Sequence, residues 1–224
     1  MNIKEIYEKF DKIGCLTFAT INENNEPETR IAHLRAFDKE GIYFMTMFTK
    51  DFYKQMKKTG KISICGLNAK TQVEHDKNGM PVFEGGYAMR MTGDVKEILI
   101  EEIKAKNNPI FDMCIKDYEQ YRAMVVFCIT SGKGDVFDYD FEKISRENKL
   151  ERIYFSFGGA KIKYKGLKID SEKCIKCGIC LKKCSFLAIK KHENNYKIDK
   201  NRCDECGDCY LSCPAKAIGY GENI

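Results

Sequence analysis

Eight of the chain's twelve cysteines use one spacing twice. Cys174, Cys177, Cys180 and Cys184 follow C-x2-C-x2-C-x3-C, and Cys203, Cys206, Cys209 and Cys213 repeat it 29 residues on. Their neighbours repeat too: Ile169-Asp170 as Ile198-Asp199, Gly178 as Gly207, and Ala188-Ile189 as Ala217-Ile218. Such a repeat is one small unit duplicated and packed on its copy. Three thiolates two residues apart wrap one tight loop around three irons of a cubane, and the loop is too tight to reach the fourth. Gly178 and Gly207, between the second and third cysteines, tolerate positive φ and let backbone N–H groups approach the cluster sulfurs. Zinc is satisfied by pairs of C-x2-C and leaves the third close cysteine unexplained. Disulfides suit exported chains, and the amino terminus, Met-Asn-Ile-Lys-Glu-Ile, does not read as a signal peptide. A three-iron cluster would lack a ligand that both motifs supply. Cys15, Cys65, Cys114 and Cys128 stand singly among apolar residues and are expected in the core.

The segment resembles the bacterial two-cluster ferredoxins over its whole length. The resemblance implies crossed ligation of two 4Fe-4S clusters. Cys174, Cys177, Cys180 and Cys213 would hold one, and Cys203, Cys206, Cys209 and Cys184 the other. Pro214 follows the second motif, whereas Ser185 stands where the family usually has proline after the first. That departure touches a turn and leaves the ligand set intact. Residues 166–224 are expected to form a small α+β domain.

The first 160 residues carry no motif of that density. Ile3, Ile6, Tyr7, Phe10 and Ile13 form a helical stripe. Strand-like runs follow at 15–21, 28–37, 41–47, 61–67, 87–95, 122–130 and 152–157, between turn clusters such as Asn22-Glu23-Asn24-Asn25. Helical patterns fit 51–59 and 97–106, and 70–86 has no clear assignment. Hairpin-spaced strands with few helices point to an antiparallel barrel, a mainly β fold with flanking helices, rather than a doubly wound sheet. There is no G-x-G-x-x-G after a strand and no G-x-x-x-x-G-K-[ST], so dinucleotide and nucleoside-triphosphate sites are unsupported. Ser131-Gly-Lys-Gly134 reads as a glycine turn. The groups Met45, Met47, Met56 and Met80, Met89, Met91 read as core filling or packing beside a cofactor.

The order helix, hairpin, strand with a terminal Thr, basic helix, strand resembles the pyridoxamine-phosphate-oxidase-like FMN-binding split barrel. The residues carrying the likeness are Arg30-Ile-Ala-His-Leu-Arg35, Tyr43-Phe-Met-Thr46 and Thr49-Lys50-Asp-Phe-Tyr-Lys-Gln55. It implies that Arg30, Thr46 and Lys50 bind the FMN phosphate and ring, with Thr49 and Lys54 near enough to help and Ile31 and Ala32 beside Arg30. The chemistry suits them, because a phosphate dianion wants convergent cations and hydroxyl or backbone donors at a helix start. The chain has no Trp, so the family's Arg-and-Trp ending, and with it the substrate, does not transfer. Arg30 and Arg35 lie five positions apart and face opposite sides of a regular strand. Both reach one ligand only if a bulge intervenes or one serves a separate pocket. Arg35 and His33 share a face and are weak candidates for substrate contact, and His33 taken alone reads as a satisfied structural histidine before a catalytic one.

A net charge of +5 could suggest a nucleic-acid partner, but two clusters of about −2 each would bring it to about +1. No apolar run is long enough to span a membrane. A cytoplasmic protein without nucleic-acid or membrane partners is expected. The leading reading is a flavin and iron–sulfur oxidoreductase, in which electrons pass from a low-potential donor such as a ferredoxin through the clusters to FMN and a small substrate. The alternatives are a flavoredoxin-like electron carrier and a redox sensor. The split-barrel resemblance places each FMN at a subunit interface and implies a homodimer.

Overall fold

The structure, a computed structural model, describes residues 1–68, 74–79, 81–82, 85–139 and 150–223. Helix α1 (Ile3–Ile13) opens on a capping box, in which Asn2 accepts from Glu5 N–H while Glu5 accepts from Asn2 N–H. It buries Ile6 and Phe10. Strands β1 (Leu16–Ile21), β2 (Pro27–Ala32), β3 (Leu34–Asp38) and β4 (Gly41–Met47) precede helix α2 (Asp51–Thr59), which ends on Gly60 in the left-handed region at φ 62°. Next come β5 (Lys61–Asn68), the short β6 (Glu74–His75) and β7 (Pro81–Val82), and the long β8 (Tyr87–Ile98). Helix α3 (Ile100–Ala105), a 3₁₀ turn (Pro109–Phe111) and α4 (Asp112–Gln120) lead to β9 (Met124–Asp138) and β10 (Glu151–Phe157).

These strands form a sheet in the order β2-β1-β5-β8-β9-β4-β3, with β10 paired to β9. Its two ends, β2 and β3, are separated in the chain by one residue, His33. The single strand expected over 28–37 is therefore two, and their junction closes the sheet into a barrel. Burial alternates along β1, where Leu16, Phe18 and Thr20 point inward, while β4 is buried on both faces until Met47. Phe18, Phe44, Phe52 and Phe127 pack at centroid separations of 5.2–6.0 Å, Phe44 stacked on Phe52 and Phe127 and Phe18 edge-on to Phe52, and fill the barrel. A second layer under α3 and α4 joins Tyr43, Phe111, Cys114 and Cys128. There Lys106 Nζ bonds Asp38 at 2.7 Å and Glu40 at 2.6 Å beside the Tyr43 ring.

Several sequence expectations need correcting. The helix expected over 97–106 begins only at Ile100, because β8 runs on to Ile98. Ser131–Gly134 is no turn but the middle of β9. Its glycines serve close packing: a Cβ on Gly134 would run into the Arg90 carbonyl oxygen, and one on Gly132 would lie 2.7 Å from Phe157. Cys114 and Cys128 are buried as expected, but Cys15 and Cys65 are exposed. Met45, Met56, Met89 and Met91 are in the core. Met80 lies outside the described residues.

The chain divides into two compact units, Met1–Asn68, Ala88–Asp135 and Tyr154–Ile162 in one, Ala69–Tyr87, Val136–Ile153 and Lys163–Ile224 in the other. The second thus takes two stretches that the sequence reading places with the first. It contains β11 (Tyr164–Ile169), α5 (Ile179–Lys183), β12 (Ile189–His192), β13 (Asn195–Ile198), α6 (Asp208–Leu211) and β14 (Ile218–Asn223). β11 pairs antiparallel with β14, and β12 with β13. The duplication read in the sequence is repeated in the backbone. Asp170 N–H donates to Ala217 O and Asp199 N–H to Ala188 O, both at 2.7 Å.

Candidate functional site

Seven of the nine residues singled out in the barrel line one cavity of about 360 Å³: Arg30, Ile31, Ala32, His33, Arg35, Thr46 and Lys50. That volume is within the range of small-molecule sites. The local backbone explains the convergence. β2 ends at Ala32, and the register between β3 and β4 shifts between Leu34 and Ala36, so Arg35 is the extra residue of a bulge. A bulge re-aims a side chain, and it brings Arg35 to the same cavity as Arg30. Thr46 is the penultimate residue of β4, and Lys50 is the N-cap of the nine-residue α2.

The polar groups are held in place. The Arg30 guanidinium donates to Thr20 Oγ1 and, at 3.1 Å, to Gln55 Oε1; it pairs with Glu28 at 3.2 Å and lies over the Phe52 ring. Burial lowers its pKa, against the upward pull of Glu28. Arg35 pairs with Asp117 at 3.2 Å. Asp117 Oδ2 nonetheless finds no hydrogen-bond partner, so this is a charge contact without a directed N–H. His33 Nδ1 lies 3.0 Å from Gly14 O, which favours the Nδ1–H tautomer and leaves Nε2 as the free ring nitrogen. Thr49 and Lys54 are not brought to the cavity. Thr49 is exposed, and Lys54 is exposed and paired with Asp51 at 2.9 Å.

Met45, Met47, Phe52 and Met124 complete the walls. The sequence reading groups Met45 and Met47 as packing, but not Phe52, the second residue of α2, or Met124, which β9 sets opposite Met47. A larger cavity of about 660 Å³ lies elsewhere in the same unit, lined among others by Lys61, Asp94, Ser131, Lys133 and Lys161. No sequence motif marked it. Lys61 there is already bonded to Asp94, as is Ser131 at 2.5 Å. The smaller cavity joins three cations, Arg30, Arg35 and Lys50, with a buried threonine and a helix start, a donor set that suits an anion.

In the second unit the thiols fall into two sets. Cys174, Cys177, Cys180 and Cys213 line one small cavity. Cys184, Cys203, Cys206 and Cys209 line another. Each set takes three cysteines from one copy of the repeat and one from the other. Gly178 (φ 73°) and Gly207 (φ 88°) cap α5 and α6 in the left-handed region. Ala188 N–H donates to Cys184 Sγ and Ala217 N–H to Cys213 Sγ, each at 3.3 Å. Burial, then the charges of Cys203 and Cys184, pushes the Cys209 thiol up to about 11. Among the described residues no three His, Cys, Asp or Glu side chains gather round a single ion.

Comparison with known proteins agrees in part. Residues 173–218 match the family model of the 4Fe-4S dicluster domain. No curated protein matches the chain. Among solved structures, a NimC/NimA family protein from Clostridium acetobutylicum is similar at 24% identity and a TM-score of 0.50, over 69% of this chain and 92% of that one. HutZ, a heme storage protein from Vibrio cholerae, is similar at 14% identity, covering 58% and 90%, with a TM-score of 0.41. A Bacteroides thetaiotaomicron protein described as a putative 5-nitroimidazole antibiotic resistance protein reaches 11%, covering 62% and 86%, also at 0.41. The first supports the split-barrel fold alone; the others add nothing to it. The dicluster match supports iron–sulfur chemistry and electron transfer.

Proposed function

We propose that the chain is a flavin and iron–sulfur oxidoreductase, with FMN in the barrel cavity and two 4Fe-4S clusters in the second unit. The observation that carries the flavin is the convergence of Arg30, Thr46 and Lys50 on one cavity. Bound there, FMN would supply the step between one-electron and two-electron chemistry. The chain's residues do the rest. Lys50 and Arg30 neutralise the phosphate at the start of α2, and the Glu28–Gln55–Thr20 network keeps the guanidinium oriented. Met45, Met47, Phe52 and Met124 offer apolar contact to a ring system. His33 and Arg35 line the same cavity and are placed to meet a small substrate, which favours an enzyme over a pure carrier. The clusters would be held by the two crossed thiol sets and charged by a low-potential protein donor such as a ferredoxin, in a reducing cytoplasm.

The test uses the full chain, purified anaerobically. Denaturation should release FMN, identified by chromatography, in about one equivalent per chain. Arg30→Ala and Lys50→Ala should each weaken FMN binding by roughly 1.5–3 kcal/mol, the range for a charge-assisted hydrogen bond. Unchanged affinity in both variants would remove FMN from this cavity.

A further inference from the structure

The second unit is its own control, since each position of the repeat has a counterpart 29 residues on. Around the two thiol sets the backbones match. Lys176 and Glu205 take φ of 62° and 61°, and Leu187 and Lys216 take 54° and 49°. Exposure matches too: Cys177 and Cys206 are exposed, Cys180 and Cys209 buried. The side chains do not match. Ile175 and Tyr196 stand in the wall of the cavity closed by Cys213, where the other cavity has Asp204 and Leu167. Between first and third cysteines, one loop carries Lys176 as its only charge, whereas the other carries Asp204, Glu205 and Asp208. Lys216 follows Cys213, and its counterpart after Cys184 is the neutral Leu187.

These differences act on electron affinity. An added electron makes a cluster more negative, so a nearby ammonium or hydroxyl donor favours reduction and a nearby carboxylate opposes it. Some features do not favour earlier reduction of the set closed by Cys213. Glu172 lies two residues before Cys174 where the other copy has Asn201, and Lys200 lies three before Cys203 where the first copy has Ser171, which narrows the charge difference without reversing it. Lys182 and Lys183 sit on α5 between Cys180 of one set and Cys184 of the other, and bear on both. Glu205 N–H donates to Cys203 Sγ at 3.4 Å, which favours reduction of the acidic set. One weak N–H···S contact is smaller than the difference between one cation and three carboxylates.

We propose that the two clusters are unequal electron stores: the set closed by Cys213 takes the first electron, and Asp204, Glu205 and Asp208 hold the set closed by Cys184 at lower potential. Reduction is electron transfer alone. A one-electron donor is oxidised by one electron for each site filled, and no bond is made or broken. An electron arriving on the acidic side runs downhill to the basic side, which gives the unit a direction. This rests on the crossed 4Fe-4S reading.

The experiment is an anaerobic redox titration of the full holoprotein, with iron and sulfide counted first and the reduced clusters followed by electron paramagnetic resonance. Two waves are expected. At half reduction the two sites should differ at least tenfold in their reduced-to-oxidised ratios, a separation of 59 mV or more for a one-electron couple. Asp204→Asn, alone or with Glu205→Gln and Asp208→Asn, should raise the lower wave only. Lys176→Gln and Tyr196→Phe should lower the upper wave only. Coincident waves, or an upper wave that moves with Asp204→Asn, would overturn the proposal by itself. A chain that holds fewer than two cubanes would overturn it together with the cluster reading.

Discussion

At the residue scale, position decides what each cysteine can do. Burial pushes Cys114 and Cys128 up to about 11, so they remain thiols at neutral pH, although the charges of Arg35 and Asp117 and the Tyr43 hydroxyl also act on them. Cys15 and Cys65 are exposed and free of such shielding. In the anaerobic holoprotein, iodoacetamide at pH 8 should therefore alkylate Cys15 and Cys65 and spare the other ten, as read by peptide mass spectrometry. Labelling of Cys114 or Cys128 at a comparable rate would show that the layer under α3 and α4 opens. The cavity residues obey the same rule. Arg35 was legible in the sequence as a cation near Arg30, but its aim depends on a one-residue bulge that no local pattern announces.

At the element scale, the Lys106 ammonium ties the end of α3 to the β3–β4 turn through Asp38 and Glu40. Burial raises the Asp38 pKa, yet the bonds from Lys106, Glu40 N–H and Tyr43 outweigh it, and the net pKa falls below the ordinary 3.8. Burial likewise lowers Lys106, and the same two carboxylates more than reverse it. The signs follow from linkage. Asp38 stabilises the fold above its unfolded pKa, and that contribution is lost as pH falls through its lower folded value. Lys106 stabilises below its unfolded pKa, and that contribution is lost as pH rises through its raised folded value. Lys106→Met should cost about 2–3 kcal/mol in urea unfolding at pH 7, the low edge for breaking a buried pair because Glu40 is half exposed. The variant should also lose part of the wild type's stability loss between pH 4 and pH 2. An unchanged acid limb would show that Asp38 is held by something else.

At the scale of the whole molecule, the barrel and the duplicated unit each carry half of the proposed chemistry. Two outcomes follow for the full chain. Light scattering should give a dimer, since a split barrel of this size covers only part of a flavin and symmetric dimers are the commonest assemblies. A monomer that retains flavin would count against the split-barrel resemblance as a guide to the site. When a reduced low-potential ferredoxin is added anaerobically, cluster absorbance should bleach before the flavin does, each electron gained being one lost by the ferredoxin. Replacing Cys174 and Cys203 together by Ser should abolish flavin reduction by ferredoxin and leave reduction by dithionite intact. Ferredoxin reducing the flavin of that variant at the wild-type rate would remove the clusters from the path. Among the described residues no helix is long and apolar enough to cross a membrane.

The sequence by itself determined the iron–sulfur segment, because three of each cubane's four ligands follow a local C-x2-C-x2-C spacing and the fourth is marked by the same motif in the other copy of the repeat. It also determined α1, from the 3.6-residue stripe of Ile3, Ile6, Tyr7, Phe10 and Ile13, and α2, from the helical pattern over 51–59. It could not determine that residues 28–37 are two strands at opposite ends of one sheet, or that Ser131–Gly134 continue a strand. Those outcomes depend on which distant backbone comes close: Arg90 against Gly134, and Phe44 and Tyr43 against the bulged β3. Only the tertiary structure decided which candidate cations share a cavity, leaving Lys54 with Asp51 and bringing Arg35 beside Arg30. It also set Asp204 in the wall of one thiol cavity and Tyr196 in the wall of the other, a contrast visible only once the two copies of the repeat are folded.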